Sequence, residues 1–443
     1  MIRYVIVGTG VAAIAAAEAI RQTDASGEIT IIGDDPHGYY SRPGLAYYLT
    51  NEIPARLLSA YPADSYDKLG AHFIRGRVAR IRPNQHLVDI DGHASEGYDR
   101  LLLAVGASAV RLEIPGTELE GVLKLDHFED AKRIAKQAGS SRAAVVVGGG
   151  ITALELVEGL NARGASVHYL MRGDRYWGNV LDETESRIIE KRLRQEGVIL
   201  HFNTLVVAAL EKRALFGAAR RLGAVRTMSG EIIPCDLLAY AIGVAPRTTL
   251  AKQAGIICDR GILANEYLQT NLADVYAAGD AAQIFDPASG AALVDSLWGP
   301  AREQGTAAGL NMSGRRVPYL RPIPFNVTRL AGLPTTIIGA VGTGNDLDVQ
   351  GIVRGDSATW RQIPDAIVAQ GGFEVNRLRL MVGEKVILGA IVMGDQKLSM
   401  ALETLIRQRV DITPIHGRLL QPGARVADVL ADFWEAWRMQ HAS

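Results

Sequence analysis

Two glycine-rich runs put backbone, rather than side chains, where chemistry can happen. They are Val5-Ile6-Val7-Gly8-Thr9-Gly10-Val11-Ala12-Ala13 and, 140 residues on, Val145-Val146-Val147-Gly148-Gly149-Gly150-Ile151-Thr152-Ala153. Each reads as a buried apolar strand, a Gly-x-Gly-x-x-Ala turn and a helix. The first glycine (Gly8, Gly148) permits the tight turn, and the second (Gly10, Gly150) lets the backbone approach a pyrophosphate. The small residue at the end (Ala13, Ala153) lets helix and strand pack closely, while the helix N-terminus offers partial positive charge. Asp34 and Asp35 end the next strand, Glu28–Gly33. There they either accept hydrogen bonds from an adenosine ribose or sit in a solvated turn before Pro36. A chain holding two dinucleotides passes electrons between them.

No other redox or metal chemistry is visible. The two cysteines, Cys235 and Cys258, form neither a C-x-x-C nor a C-x-x-x-x-C pair and flank apolar strands, where a thiol reads as a small core residue. The nine histidines show no paired ligand spacing. His416 has no thiol to serve and reads as structural. A net charge of −1 over 443 residues gives no reason to expect nucleic acid or an acidic membrane face. Tyr4–Ile20 is mostly apolar, yet it breaks at Gly8-Thr9-Gly10 and continues in alanine, so it reads as strand plus buried helix and not as a span. The chain enters that strand at once, without a charged leader, and a cytoplasmic location is expected.

These groups need a scaffold, and the sequence repeats one. Leu101-Leu102-Leu103-Ala104-Val105-Gly106 closes the first unit with a strand and a small-residue turn; Leu238-Ala239-Tyr240-Ala241-Ile242-Gly243 closes the second the same way. A third block, Val275-Tyr276-Ala277-Ala278-Gly279-Asp280, carries a Gly-Asp pair to an expected strand-to-helix junction. There Asp280 can accept sugar hydroxyls beside a phosphate, cap the helix, or do both. From about residue 318 the texture changes. Thr335–Val341, Arg377–Val382 and Lys385–Met393 read as antiparallel strands, and helices are expected at 397–408 and 424–439. The last has a stripe of Val426, Val429, Leu430, Phe433, Trp434 and Trp437, expected to pack on its own domain.

In order and spacing these motifs resemble the pyridine nucleotide–disulfide oxidoreductase superfamily, and within it the ferredoxin/rubredoxin reductase and nitrite-reductase flavin-subunit branch. The resemblance covers residues 1–318 strongly and the remainder loosely. It implies an α/β fold with two Rossmann-like domains, for FAD and NAD(P), the second inserted in the first, and a C-terminal α+β domain. The expected divisions are 1–112 and 243–317 (FAD), 113–242 (NAD(P)) and 318–443. It also implies that Gly8, Gly10, Val11, Ala12, Ala13, Ala104, Gly106, Gly279 and Asp280 contact FAD. Gly148, Gly150, Ile151, Thr152, Ile242 and Gly243 would contact NADH or NADPH.

The run Tyr40-Ser41-Arg42-Pro43-Gly44-Leu45-Ala46-Tyr47 separates the branches. Where thiol-dependent relatives carry a redox cysteine, this chain has Pro43, and Arg42-Pro43 resembles the reductases whose electrons leave to an external acceptor. Where several ferredoxin reductases place a lysine near the flavin, this chain has Tyr47, which can pack on the ring or bond to it. Trp298, in Leu297-Trp298-Gly299-Pro300, matches a tryptophan beside the flavin; the alternative is a core residue. Glu155 fits a pattern whose carboxylate points at the nicotinamide; the alternative is a helix-surface glutamate. Met171 stands where an acid would hold an NAD ribose, and Arg172 and Arg175 follow, able to pair with a 2′-phosphate or simply to occupy a surface turn. The implied activity is hydride transfer from NAD(P)H to FAD and electron delivery to a ferredoxin- or rubredoxin-like protein or a partner reductase subunit. Alternatives are a flavin subunit of a larger reductase such as one acting on nitrite, reduction of a small molecule, or a mainly structural flavoprotein.

Overall fold

The computed structural model describes residues 1–59, 65–212, 220–342, 367–373 and 376–441, with backbone alone for residues 65 and 367–373. Two five-stranded parallel sheets dominate. In the first, the order is Val275–Ala277, Arg100–Leu103, Arg3–Val7, Glu28–Gly33, Ala71–Arg75. In the second it is Ile199–His201, Ser166–Leu170, Ala143–Val147, Leu237–Tyr240, Val122–Lys124. Each glycine-turn strand is central and covered on both faces, which is why it reads as an unbroken Val/Ile run. The edge strand Val275–Ala277 comes from beyond the whole second sheet, so one unit interrupts the other.

The small-residue turns explain themselves in space. Gly8 has φ +124°, and a Cβ on it would lie 2.2 Å from the Ala104 carbonyl oxygen. Its twin Gly148 has φ +148°, with a Cβ 2.4 Å from the Ala241 oxygen. In both units the glycine turn presses on the turn that ends the neighbouring strand. Neither backbone leaves room for a side chain.

Behind the first turn, helix Val11–Thr23 crosses helix Trp298–Met312 at small residues. A Cβ on Gly305 would come within 2.1 Å of the Ala12 oxygen and one on Gly309 within 2.4 Å of the Ala16 oxygen. This approach sets the start of helix Val11–Thr23 against Gly305, midway along helix Trp298–Met312. The Gly-Asp turn lies between them, held by the buried bond from Gly279 N–H to Gln304 Oε1 at 2.8 Å.

The C-terminal sheet is antiparallel, ordered Phe325–Leu330, Leu333–Gly339, Ile387–Met393, Asn376–Val382, Ile367–Phe373. Helices Ser399–Arg407, Thr413–Leu419 and Val426–His441 pack on it. The stripe of the last helix meets its own domain as expected: Val426, Val429 and Leu430 are buried, and Phe433, Trp434 and Trp437 pack partly beneath. The sheet is tied to the second unit by buried ions. Arg379 donates to Glu185 at 2.8 Å and to the Val180 carbonyl at 2.8 Å, and Arg377 reaches Asp182 at 2.6 Å.

Candidate functional site

One cleft, enclosing about 260 Å³, receives the start of both glycine-turn helices. Gly10 and Val11 line it from the first unit, and Ile151, Thr152 and Glu155 from the second. Neither helix has a side-chain cap or an acid in its first turn. The first intrahelical bonds run from Ile14 N–H to the Gly10 oxygen and from Leu154 N–H to the Gly150 oxygen, each at 3.2 Å. The amides of Val11–Ala13 and Ile151–Ala153 therefore have no acceptor among the described residues, although Ala12 and Ala13 are buried. Buried donors of this kind call for an anion. Helix Trp298–Met312 starts at the same cleft, likewise without a cap or a first-turn acid. Ser296 Oγ, beside it on the cleft wall, is buried with no partner among the described residues. Around Gly10 there is open space: an added Cβ would meet nothing within 4 Å. A phosphate-bearing cofactor fits this set of donors and this gap.

The expected residues divide as follows. Asp35, Arg42, Pro43, Tyr47, Asp280 and Trp298 also line the cleft. Ala12 and Ala13 sit beneath its floor, and Ala104 supports Gly8 from behind. Gly106 turns with φ +68° and open space at its Cβ position. Asp34 is exposed and does not line the cleft, whereas Asp35 does. Trp298 is 44% exposed at the mouth, which removes the reading of a core tryptophan. Its indole bonds to Tyr39, whose hydroxyl burial pushes up and this bond partly brings back.

One expectation needs correcting. Gly279–Asp280 is not followed by a helix: Gly279–Ala281 is a single 3-10 turn, and strand Ala282–Asp286 comes next. The helix N-terminus near Asp280 belongs to Val11–Thr23, brought there by packing. Among the arginines, Arg175 is folded back, with Nη2 donating to the Gly178 carbonyl at 2.9 Å and Nη1 to Asp174 at 3.3 Å. Only Arg172 is exposed beyond the buried Met171.

Gly150, Thr152 and Gly243 line a smaller recess behind the second turn, with Asp126; Ile242 does not. Burial pushes the Asp126 carboxyl up, but Lys124 at 2.9 Å brings it below the ordinary carboxylate range. Arg42 spans cleft and recess, donating to the Asp126 carbonyl at 3.4 Å.

Several cleft residues escaped the sequence reading. Strand Phe325–Leu330 supplies a wall through Asn326, Val327, Thr328 and Arg329, and Glu158 lies one helical turn beyond Glu155. Burial raises the Glu158 carboxyl to about 7, with the Gly332 amide donating to it at 2.9 Å. The spacing of Glu158 from Glu155 was the one signal for it; nothing local marks residues 326–329. Tyr39 and Tyr40 face the cleft as well, and Tyr40 also accepts the Phe128 amide at 3.0 Å. Among the described residues no His/Cys/Asp/Glu group could hold a metal ion, and no helix is long and apolar enough to cross a membrane.

Known proteins share this arrangement. An assimilatory nitrate reductase electron transfer subunit of Bacillus subtilis is 29% identical over 95% of this chain, which spans 51% of that subunit's length. A ferredoxin–NAD(+) reductase component of the 3-phenylpropionate/cinnamic acid dioxygenase, from Photorhabdus laumondii, is 28% identical over 86% of this chain and 95% of its own. Among solved structures, a ferredoxin reductase from Rhodopseudomonas palustris superposes with a TM-score of 0.83 at 20% identity, covering 97% of this chain and all of that one. The sequence profile of the pyridine nucleotide-disulphide oxidoreductases matches residues 2–297, two thirds of the chain, and the chain belongs to that family.

Proposed function

We propose that the chain is an FAD-dependent NAD(P)H:acceptor oxidoreductase that delivers electrons to a ferredoxin- or rubredoxin-like protein. The observation that carries this reading is the single cleft shared by the two uncapped helix N-termini. FAD, when bound, takes hydride from the reduced nicotinamide and gives up electrons to an external carrier. The protein's own work is to bind, orient and exclude water. Val11–Ala13 amides and Arg42 answer the charge of the FAD pyrophosphate, Asp35 the adenosine ribose, and Asp280 with Ser296 Oγ the remaining polar groups. On the second helix, Ile151–Ala153 amides do the same for the coenzyme, and Glu155 orients its carboxamide end. Tyr47 and Trp298 flank the opening with aromatic faces suited to planar rings.

Residues 1–112 with 243–317 form the FAD unit in this reading, and 113–242 the coenzyme unit. With Arg175 tied to its own turn, Arg172 alone remains to answer a 2′-phosphate, which shifts the balance from NADPH toward NADH. The two free thiols, Cys235 buried and Cys258 half-buried, form no dithiol relay, so electrons leave by way of the cleft. A cytoplasmic setting suits such a carrier-linked reductase. Anaerobic titration of purified protein with NADH and NADPH, then mixing with iron–sulfur acceptors, tests the assignment; a preparation without a flavin spectrum would remove it. One observation favours a second reading. The chain spans about half of the nitrate reductase subunit and 48% of a Bacillus subtilis nitrite reductase, as expected if this unit serves a larger reductase whose metals lie elsewhere.

A further inference from the structure

The first strand of the C-terminal sheet brings a charge into the cleft from 277 residues away in sequence. Arg329 meets Glu52, just past helix Gly44–Leu49, at two points: Nη1 to Oε2 at 2.9 Å and Nη2 to Oε1. Thr50 donates its hydroxyl to the same carboxylate at 2.6 Å. The Arg329 bond, then that of Thr50, hold the Glu52 carboxyl down at about 2. The guanidinium carbon also lies 5.3 Å from the centre of the Tyr47 ring. Glu155 and Glu158 line the same cleft; Glu158 accepts from the Gly332 amide at 2.9 Å, in the turn after this strand, and feels the charge of Arg329.

Stability is a poor explanation for this pair. Its side chains are 32% and 41% exposed, and a solvated ion pair contributes little to stability. Position gives a better one. A nicotinamide ring is uncharged when reduced and cationic when oxidised, so a charge beside it acts on the two forms unequally. An unpaired Glu52 carboxylate would attract the oxidised ring, and the guanidinium bound to it cancels that attraction.

We propose that Arg329 is a positioning and specificity-determining residue that holds Tyr47 at the cleft and, by neutralising Glu52, keeps that carboxylate from tightening the grip on the oxidised, cationic nicotinamide relative to the reduced one. The C-terminal unit thereby helps product leave. This inference rests on the cleft being the nicotinamide site.

The test uses flavin-loaded wild type, Arg329→Gln, Glu52→Gln, the double variant and Arg329→Lys, titrated calorimetrically with NAD+ and with tetrahydro-NADH, whose ring is uncharged and cannot give up hydride. Arg329→Gln leaves Glu52 uncompensated, and NAD+ should tighten relative to the analogue by roughly tenfold. Glu52→Gln leaves Arg329 uncompensated and should move the ratio the other way. The double variant should return toward wild type, and Arg329→Lys, keeping the charge without the two-point contact, should stay near it. If both single variants weaken the two ligands alike, with the ratio unmoved, the pair is only a latch and the proposal is overturned. Wild type that binds neither ligand would overturn the nicotinamide site itself. Wild type that binds both, with variants that leave the ratio alone, overturns this inference alone.

Discussion

Substitution of Gly10 by valine separates a ligand-binding turn from a structural one, because the protein has nothing against the new side chain. Gly10 has φ −77° and ψ 179°, extended backbone open to any L-residue, and its Cβ position meets nothing within 4 Å. Valine caps a helix less well than glycine, a cost of about 1 kcal/mol. Stiffening the unfolded chain returns about 0.4–1 kcal/mol. Apoprotein stability should therefore stay within about 1 kcal/mol of wild type. The ligand meets a different situation. The isopropyl group stands where a pyrophosphate must approach the Val11–Ala13 amides, and each charge-assisted bond lost costs about 1.5–3 kcal/mol. Two lost bonds weaken FAD at least a hundredfold. Denaturant unfolding of the apoprotein and FAD titration by flavin fluorescence give the two numbers separately. The control is Gly8→Ala, where a Cβ 2.2 Å from a carbonyl oxygen and φ +124° predict a loss of folding as well. A folded Gly10→Val protein that binds FAD with wild-type affinity would refute the assignment of this turn.

Three further outcomes follow from the site and its supports. Glu158 has a carboxyl raised to about 7. Its contribution is full below the unfolded value near 4.5 and is lost as pH rises through 7, so Glu158→Gln, which keeps an acceptor for Gly332, should gain about 1–2 kcal/mol on wild type between pH 5 and 8 after allowance for screening; parallel stability curves would contradict this. Arg379→Ala removes the nearest cation from Glu185, 0% exposed, leaving Arg377 at 3.7 Å and the Asp182 amide at 2.9 Å, and should cost about 1–3 kcal/mol in urea unfolding; an unchanged midpoint would show that the pair is dispensable. Burial pushes the Cys235 thiol up to about 12 and raises Cys258 less, so the Cys235→Ala, Cys258→Ala double variant should transfer electrons at the wild-type rate, whereas a large drop would reveal a thiol step.

Legibility in the sequence tracked locality. Glycine turns, the runs ending at Ala104 and Ala241, and the stripe on helix Val426–His441 are written in consecutive residues or in one period, and the structure forms each of them. Hairpins made by strands Val78–Arg82 with Leu87–Ile90 and Val206–Glu211 with Leu222–Thr227 were missed, since charged and polar residues interrupt their alternation. The Gly-Asp block failed instructively. Its neighbourhood does contain a helix N-terminus, but one contributed by residue 11 through the crossing at Gly305 and Gly309, which no local pattern reports. The wall formed by residues 326–329 is hidden for a further reason: Phe325 and Val327 are 38% and 61% exposed, Val327 on the open cleft, reversing the usual relation between apolar residues and core.

The strand Val275–Ala277 gives synthesis an order. Emerging from the ribosome, the chain presents most of its first sheet, then the entire contiguous second sheet, before the edge that borders Arg100–Leu103 exists. Pairing across so long a gap is entropically slow, and Gly279, Asp280 and the helix from Trp298 arrive later still. A nascent chain stalled near residue 270 would hold a finished second sheet beside a half-built first one, its exposed strand edge open to the wrong neighbour.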